Sequence, residues 1–338
     1  MLSFGIIGAG PVALCLAAEL ENDNHPICLC VNRDSRFERL AIENHGKFII
    51  DGTPLKINKL LSSVKDTLAI CDHVFVCISA LYYPEVFQQL MTHRRPDQFV
   101  YFMPGNVFGA YNYAQFAKMN GYFDFGIAEF QTSVYTARAD GVNVLQFAKK
   151  TKVSMAARTN CETEIMSKVL PRSLRARIHL ATNYLETSLQ NVSGILHPII
   201  FYENLELFLT SGRKRFYVDG ATSRVVDRII AIDSERVAIQ RAYGFSPQSL
   251  LDWFQRVYEC KGNDVVTIVK NLDGYRAISA PTTINHRYFY QDVPFCLAPL
   301  ETVAAKHNIM TPEMTSLIDD ASAVTGTNLR DNDWLTPE

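Results

Sequence analysis

The opening of this chain constrains its fold more than any other stretch. Ser3-Phe4-Gly5-Ile6-Ile7 leads into Gly8-Ala9-Gly10-Pro11-Val12-Ala13, and an apolar, small-residue run continues to Glu21. A short buried strand, a glycine turn and a helix, in that order, begin a βαβ unit. Gly8-x-Gly10-x-x-Ala13 fits the dinucleotide fingerprint in its G-x-G-x-x-A form. Gly8 permits the tight turn, Gly10 lets the backbone approach a pyrophosphate, and Ala13 allows close helix–strand contact. The helix start at Pro11 and Val12 presents free N–H groups and a positive dipole end to the phosphates. Asn22, Asp23, Asn24 and Pro26 stop this helix, and residues 27–31 read as the second parallel strand. The motif alone also fits a ligand-free glycine turn or a flavin site. Its place between strand and helix, with a strand beyond, favours a nicotinamide dinucleotide.

The tip of the second strand bears on which nicotinamide cofactor is used. It reads Val31-Asn32-Arg33-Asp34. Asn32 and Arg33 suit a 2′-phosphate, because Arg33 brings a fixed positive fork and no carboxylate stands at the strand tip. Arg36 is placed to assist. The other reading is that Asp34 holds the ribose hydroxyls and Arg33 is a solvated surface residue. NADPH is the preferred expectation and NAD the alternative. Ser79-Ala80 and Pro104-Gly105-Asn106 follow the strand candidates 73–79 and 98–103. Ser79 and Pro104 are therefore expected at the carboxyl edge of the sheet, on the cofactor's rim.

Strand candidates at 47–50, 73–79, 98–103, 122–128, 142–147, 152–156 and 177–181, with helices such as 84–92 and 162–170 among them, predict a doubly wound, largely parallel α/β sheet of the Rossmann type. Beyond residue 182 helical periodicity takes over, at 184–210, 219–243, 246–259, 263–271, 294–307 and 312–324. The expected organisation is a dinucleotide-binding domain over 1–182 and an all-helical substrate domain over 183–338, in a chain of 338 residues. The balance of 33 basic against 35 acidic residues gives nucleic acid and anionic membranes nothing to recognise. No run is long enough to span a bilayer. The apolar start imitates a signal peptide, but no basic residue precedes it, and Glu19 and Glu21 close it without a small-residue cleavage site. The eight cysteines include no C-x-x-C pair and sit mostly in apolar runs, which suggests reduced thiols in a cytoplasmic protein. The expected partners are small molecules, with a homodimer as the open oligomeric option.

Two segments of the second half carry unusual polar density: Asn191-Val192-Ser193-Gly194-Ile195-Leu196-His197-Pro198, and Asn285-His286-Arg287-Tyr288-Phe289-Tyr290-Gln291-Asp292-Val293-Pro294. Composition leaves their meaning open. A histidine before a proline is often structural. Asp292 before a first-turn proline suits a helix cap. Arg287 suits a structural ion pair, and His286 is a rival acid. Asp233, Glu235 and Arg236, in one helix, read as ion-pair partners. No His/Cys cluster has metal-ligand spacing, so no metal site is expected.

These segments resemble the opine dehydrogenase family, the octopine and nopaline dehydrogenases and their metallophore-making relatives such as staphylopine dehydrogenase. The likeness covers nearly the whole chain. Residues 7–13 and Tyr82-Tyr83 with Gln88-Gln89-Leu90 resemble the metallophore type. Asn191…His197-Pro198, Asp233-Ser234-Glu235-Arg236, Ala280-Pro281-Thr282-Thr283, Arg287-Tyr288…Asp292-Val293-Pro294 and Thr311-Pro312 resemble the octopine-type helical domain. The resemblance implies an NAD(P)H-dependent oxidoreductase that condenses a 2-oxo acid with the amine of an amino acid and reduces the imine. His197 then serves as proton donor, suited by an intrinsic pKa of about 6.5. The resemblance makes Asp292 its carboxylate partner, Arg287 the clamp on a substrate carboxylate, and Asn191 a hydrogen-bond donor to substrate or nicotinamide amide. A looser match sets Glu129, Tyr135 and Arg138 at the substrate's border. The alternatives are a 2-oxo acid reductase resembling ketopantoate reductase, whose catalytic lysine pattern is missing here, and a non-catalytic NADP(H) sensor.

Overall fold

Twelve strands and a long series of helices are present in the computed structural model, which describes residues 3–31, 36–122, 125–210 and 212–338. The chain divides into two compact units, residues 1–105 with 109–187, and residues 106–108 with 188–338.

The first unit carries all the strands. In chain order they are β1 (Phe4–Ile7), β2 (Ile27–Cys30), β3 (Phe48–Ile50), β4 (Thr53–Leu55), β5 (Lys59–Leu61), β6 (His73–Val76), β7 (Phe99–Phe102), β8 (Ile127–Phe130), β9 (Tyr135–Asp140), β10 (Asn143–Lys149), β11 (Val153–Ala157) and β12 (Ile178–Leu180). Eight form one sheet in the order β12-β11-β8-β7-β6-β1-β2-β5. Every pairing in it is parallel except β8 with β11. β1, β2 and β6 are buried at every position, so their apolar runs face protein on both sides, as the interior of a parallel sheet requires. The order β5-β2-β1-β6-β7-β8 reverses direction between β1 and β6. That is the doubly wound arrangement, and ligands bind beyond the strand ends at such a switch point.

Two expected strands leave this sheet. The segments 47–50 and 142–147 become β3 and β10 of a second, four-stranded sheet, ordered β4-β3-β10-β9. The reason is local turn chemistry. Asp51 and Gly52 both take positive φ (49° and 83°), closing β3 onto β4 as a tight hairpin, and Gly141 at φ 57° turns β9 back onto β10. The third strand of the parallel series is instead β5, whose Lys59 pairs with Cys28 at a half-exposed edge. The second sheet packs on the Pro11–Asn22 helix, which also touches β1 and β2. This explains why that helix is buried nearly all round, Leu14, Cys15, Leu16 and Ala17 included. Its Glu19, 3% exposed, lies between Lys149 at 3.2 Å and Arg177 at 3.3 Å.

The second unit is helical. The expected run 184–210 breaks into Tyr184–Leu189, Ser193–Glu203 and Leu205–Thr210. Asparagines sit at both interruptions: Asn191 Oδ1 accepts from Ser193 N at 2.9 Å, and Asn204 Nδ2 donates to Ile200 O and Gly220 O at 2.8 and 3.0 Å. The expected helix 294–307 starts with a π-helical turn, Val293–Leu297, before continuing as Ala298–Lys306. Pro299 has no N–H to return to Phe295, so a regular α-ladder cannot cross this point. The Ser223–Ala242 helix packs on Ser193–Glu203, Ala298–Lys306 and Pro312–Thr325. Its fully buried Arg236 donates to Asp233 Oδ1, Leu189 O and Gln248 O, while Asp233 Oδ2 accepts from Leu250 N at 2.6 Å. Glu235 accepts from Glu313 N and Met314 N at the start of the Pro312–Thr325 helix. The Asp233-Ser234-Glu235-Arg236 segment thus holds helices together.

Candidate active site

In the first unit the glycine turn follows β1 directly. Gly8 stands at φ 105°, and a Cβ there would lie 2.7 Å from Cys77 O at the end of β6. Only glycine fits that close approach. Gly10 differs. It caps the Pro11–Asn22 helix at φ −71°, and among the described residues, its chain neighbours aside, no atom lies within 4 Å of where a Cβ would be. No side chain caps this helix start, no acidic residue stands in its first turn, and Pro11 occupies the first position. The N–H groups of the first turn therefore have no side-chain cap among the described residues, which suits them to an anionic group. Ala13 is fully buried, which its small side chain permits. Ser79 precedes the short helical turn Ala80–Tyr82 just beyond β6, and Pro104 follows β7, with its carbonyl accepting from the Tyr83 hydroxyl. The residues present fit a dinucleotide pyrophosphate. Asn32, Arg33 and Asp34 lie outside the described residues, as does the side chain of Arg36.

Glu129, Tyr135 and Arg138 also belong to this unit. Glu129 sits in β8, fully buried, and accepts from Ala110 N at 2.9 Å and from Thr187 Oγ1 at 2.8 Å. Tyr135 is buried in β9, and Arg138 donates from β9 to Ala137 O. Glu129 acts as a brace between backbone and hydroxyl.

In the second unit, His197 lies in the Ser193–Glu203 helix. Its Nδ1 is 2.6 Å from Asp292 Oδ2, and its Nε2 is 2.9 Å from the Tyr217 hydroxyl. Asp292 is 1% exposed. Two features make this approach possible. A Cβ on Gly194 would overlap Cys296 Cβ, so glycine there lets the helix close on the π-turn that follows Asp292. The π-turn itself is a departure from α-geometry of the kind that recurs at functional sites. The carboxylate of Asp292 makes no capping bond to that turn, so the cap reading falls, and its oxygen goes to the imidazole. With Asp292 accepting, Nδ1 carries the proton, and the Nε2 lone pair of the neutral ring faces the Tyr217 O–H.

Aromatic rings fix the imidazole. Tyr288 stacks on His197 with centroids 4.5 Å apart and planes 24° from parallel, and Phe216 and Tyr217 flank it at 6.2 and 6.3 Å. On the Tyr288 ring lies the Arg287 guanidinium, 5.7 Å from its centroid. Arg287 is exposed to solvent, yet protein crowds it. That crowding lowers its proton affinity, and Asp292 together with the smaller contributions of Tyr288, Tyr217 and Cys296 more than offsets the loss, so the net shift is upward. It is a solvent-facing permanent cation over the ring that stacks on the histidine.

The remaining expected residues make bonds within the helical unit. Asn191, expected against substrate or nicotinamide, is 2% exposed. Its amide is engaged with Ser193 N and, at 3.4 Å, with Asn106 O. It positions the start of the His197 helix. His286 accepts from Tyr288 N at 3.4 Å as the cap of the Arg287–Tyr290 helix, which weakens its claim as a rival acid. Asn106, expected at the sheet edge, groups with the helical unit, where Val107 N donates to Phe295 O at 3.1 Å and Val107 O accepts from Trp334 Nε1 at 2.7 Å. Tyr217 was missed by the sequence reading. It sits in the five-residue helix Phe216–Gly220, where no motif or periodicity distinguishes it. Among the described residues no group of three or more His, Cys, Asp or Glu side chains is placed to hold a metal ion, and no helix is long and apolar enough to cross a membrane.

Residues 180–325 match the family model described as the NAD/NADP octopine/nopaline dehydrogenase, alpha-helical domain. With the dinucleotide fold before it, this makes the chain an NAD(P)-dependent oxidoreductase. An opine dehydrogenase from Arthrobacter sp. (strain 1C) is 24% identical over 298 residues, spanning 86% of this chain and 82% of its own length. Among solved structures, a yersinopine dehydrogenase with NADP+ bound superposes with a TM-score of 0.76 at 15% identity, covering 98% of this chain and 96% of its own. An octopine dehydrogenase in complex with NADH and agmatine gives 0.74 at 15% identity, over 96% and 90%. The helical part of the chain, residues 180–325, is thus an octopine/nopaline dehydrogenase-type helical domain, and the chain as a whole is similar to opine dehydrogenases.

Proposed function

We propose that this enzyme joins a 2-oxo acid to the amine of an amino acid or amino-acid-derived compound and reduces the resulting imine, with His197 as the proton donor. The observation that carries the reading is the Asp292–His197 pair: a nearly buried carboxylate 2.6 Å from Nδ1 of an imidazole, with the Arg287 cation over the Tyr288 ring that stacks on that imidazole. The reduced nicotinamide, when bound, supplies hydride to the imine carbon. The rest falls to the protein's own residues. Imine formation expels water, and a proton at Nε2 of the imidazolium assists that departure. Asp292 holds the ring in one tautomer and stabilises the imidazolium. Arg287 offers two parallel N–H groups to a substrate carboxylate, whose geometry matches the guanidinium fork. An octopine dehydrogenase has been solved with NADH and pyruvate, and with NADH and L-arginine, a 2-oxo acid and an amino acid of the proposed classes.

NADPH is the proposed preference, on the strength of Asn32 and Arg33, which follow the second strand in the sequence. Eight free thiols, six of them buried, support a reducing, cytoplasmic setting. The test is a matrix of NADPH or NADH, several 2-oxo acids and the common amino acids, followed by cofactor absorbance. Oxidation should require the oxo acid and the amine together. Equal rates with the oxo acid alone would assign the chain to simple 2-oxo acid reduction, and silence across the matrix would favour a sensor.

A further inference from the structure

The π-turn that presents Asp292 is short of its own hydrogen-bond donors. Ala298 N donates to Val293 O, passing over Pro294 O, and Leu297 N donates to Asp292 O at 3.2 Å. Pro299 has no N–H, so Phe295 O loses its α-helical donor and Pro294 O loses its π-helical one. The turn is buried throughout, where a carbonyl without a partner is costly. Both gaps are filled from elsewhere in the helical unit. Val107 N donates to Phe295 O at 3.1 Å, and Asn332 Nδ2 donates to Pro294 O at 3.4 Å. Trp334 secures the first of these bonds. Its Nε1 donates to Val107 O at 2.7 Å, and its ring meets Phe295 edge-on with centroids 5.1 Å apart. The same turn closes on the His197 helix at Gly194, beside Cys296. Residues 327–338, which follow the last helix without helix or strand, thus hold the turn that meets the histidine helix.

We propose, resting on the reading of His197 as proton donor, that Trp334 and Asn332 are positioning residues for the reaction. By completing the π-turn they set the approach of Asp292 to His197. They act through Asp292, whose carboxylate lies 2.6 Å from Nδ1. A displacement of about 1 Å at a reacting centre is enough to cost much of its rate. Without the indole N–H, Val107 O loses its donor, and the Val107 segment and Phe295 lose the tether they share. The turn is then free to relax, and Asp292 at its head moves with it. A carboxylate beside an imidazole favours the imidazolium, so its withdrawal lowers the proton affinity of the ring. The sequence gives Trp334 no functional mark, because its partners lie 227 positions away in the chain at Val107 and in a turn whose need for donors shows only once Pro299 is seen in its register.

The test compares the whole enzyme with two variants. Trp334→Phe keeps a ring against Phe295 and removes the N–H, and Asn332→Ala trims an exposed side chain and spares the core. Two properties are read: kcat and KM in the amine-dependent assay, and the pH midpoint of the His197 ring by NMR titration. A positioning role predicts for Trp334→Phe a kcat about tenfold lower with KM unchanged, together with a His197 midpoint moved to lower pH. Asn332→Ala should show the same two changes in smaller measure. A merely structural tail predicts a lower unfolding temperature with wild-type kcat and a wild-type midpoint. That result in both variants overturns the proposal and leaves the functional reading in place. Should Trp334→Phe fail to fold, Asn332→Ala decides by the same two readings. If the wild type turns over no oxo acid with any amine, the functional reading fails, and the midpoint alone judges the tail. A lowered midpoint then sustains the positioning role, and an unchanged one overturns it.

Discussion

The cofactor turn and the His197 centre work by opposite means. At Gly8–Ala13 the useful feature is what side chains leave open: bare backbone at the head of a helix, with empty space beside Gly10. At His197 every useful feature is a side chain pressed against another: Asp292 on one nitrogen, Tyr217 on the other, Tyr288 on the face of the ring. The first site is damaged by adding atoms and the second by removing them. Within the turn, the two glycines also differ. Gly8 is required by close packing, whereas Gly10 has room for a Cβ among the described residues.

Mutations can break that contrast, starting with the largest effect. His197→Ala should lower kcat by about 10³-fold, within the range of a lost general acid, while NADPH still binds as in the wild type by fluorescence titration. Retained turnover would remove the histidine from the chemistry. Asp292→Asn keeps the shape but offers an amide to Nδ1, freeing the wrong tautomer, and kcat should fall by about 10²-fold or more with the cofactor affinity again unchanged.

The glycine pair sharpens the comparison. Gly8→Ala should destabilise the protein by about 1–3 kcal/mol in thermal unfolding without cofactor, because its φ of 105° and the carbonyl 2.7 Å away both oppose a methyl group. Gly10→Ala should leave unfolding unchanged and weaken NADPH about tenfold, or about 1.4 kcal/mol. Equal stability losses at both positions would erase the distinction.

The smallest effect concerns the helix that carries Tyr217. Asp219 accepts from Arg215 N and from the Arg215 guanidinium at 2.7 and 2.8 Å, and that guanidinium holds its carboxyl below the usual range. A carboxylate depressed in the folded state stabilises above its unfolded pKa, and the gain is lost as pH falls through the folded value. Asp219→Asn should therefore cost less than about 1 kcal/mol at pH 7, as half-exposed pairs do. Its unfolding midpoint should converge with the wild type's in acid well below the carboxylate range.

The two centres also differ in how far the sequence discloses them. The turn lies within six consecutive residues, so strand, glycines and helix are read together, and β1, β2 and β6 follow from unbroken apolar runs. The histidine centre joins residues 95 positions apart. Composition cannot tell whether Asp292 caps a turn or holds an imidazole. Resemblance put the two together, and the absence of a capping bond separates the readings. Tyr217 has no signal at all, because its meaning lies in what the fold sets against it. Two strands were illegible for another reason. Thr53–Leu55 of the second sheet and Lys59–Leu61 at the edge of the parallel sheet are three residues each, with exposed polar positions, too short for alternation to emerge. Asn191 and Asn204 look like helix residues until their side chains are seen ending the ladders.

The central claim is that hydride ends on the carbon of an imine. The most direct measurement supplies NADPH deuterated at its transferable position, together with the oxo acid and amine that the matrix selects, and weighs the product by mass spectrometry. A secondary amine joining the two substrates, with one deuterium on the former carbonyl carbon, is the predicted result. A deuterated 2-hydroxy acid, with the amine recovered unchanged, would contradict the account.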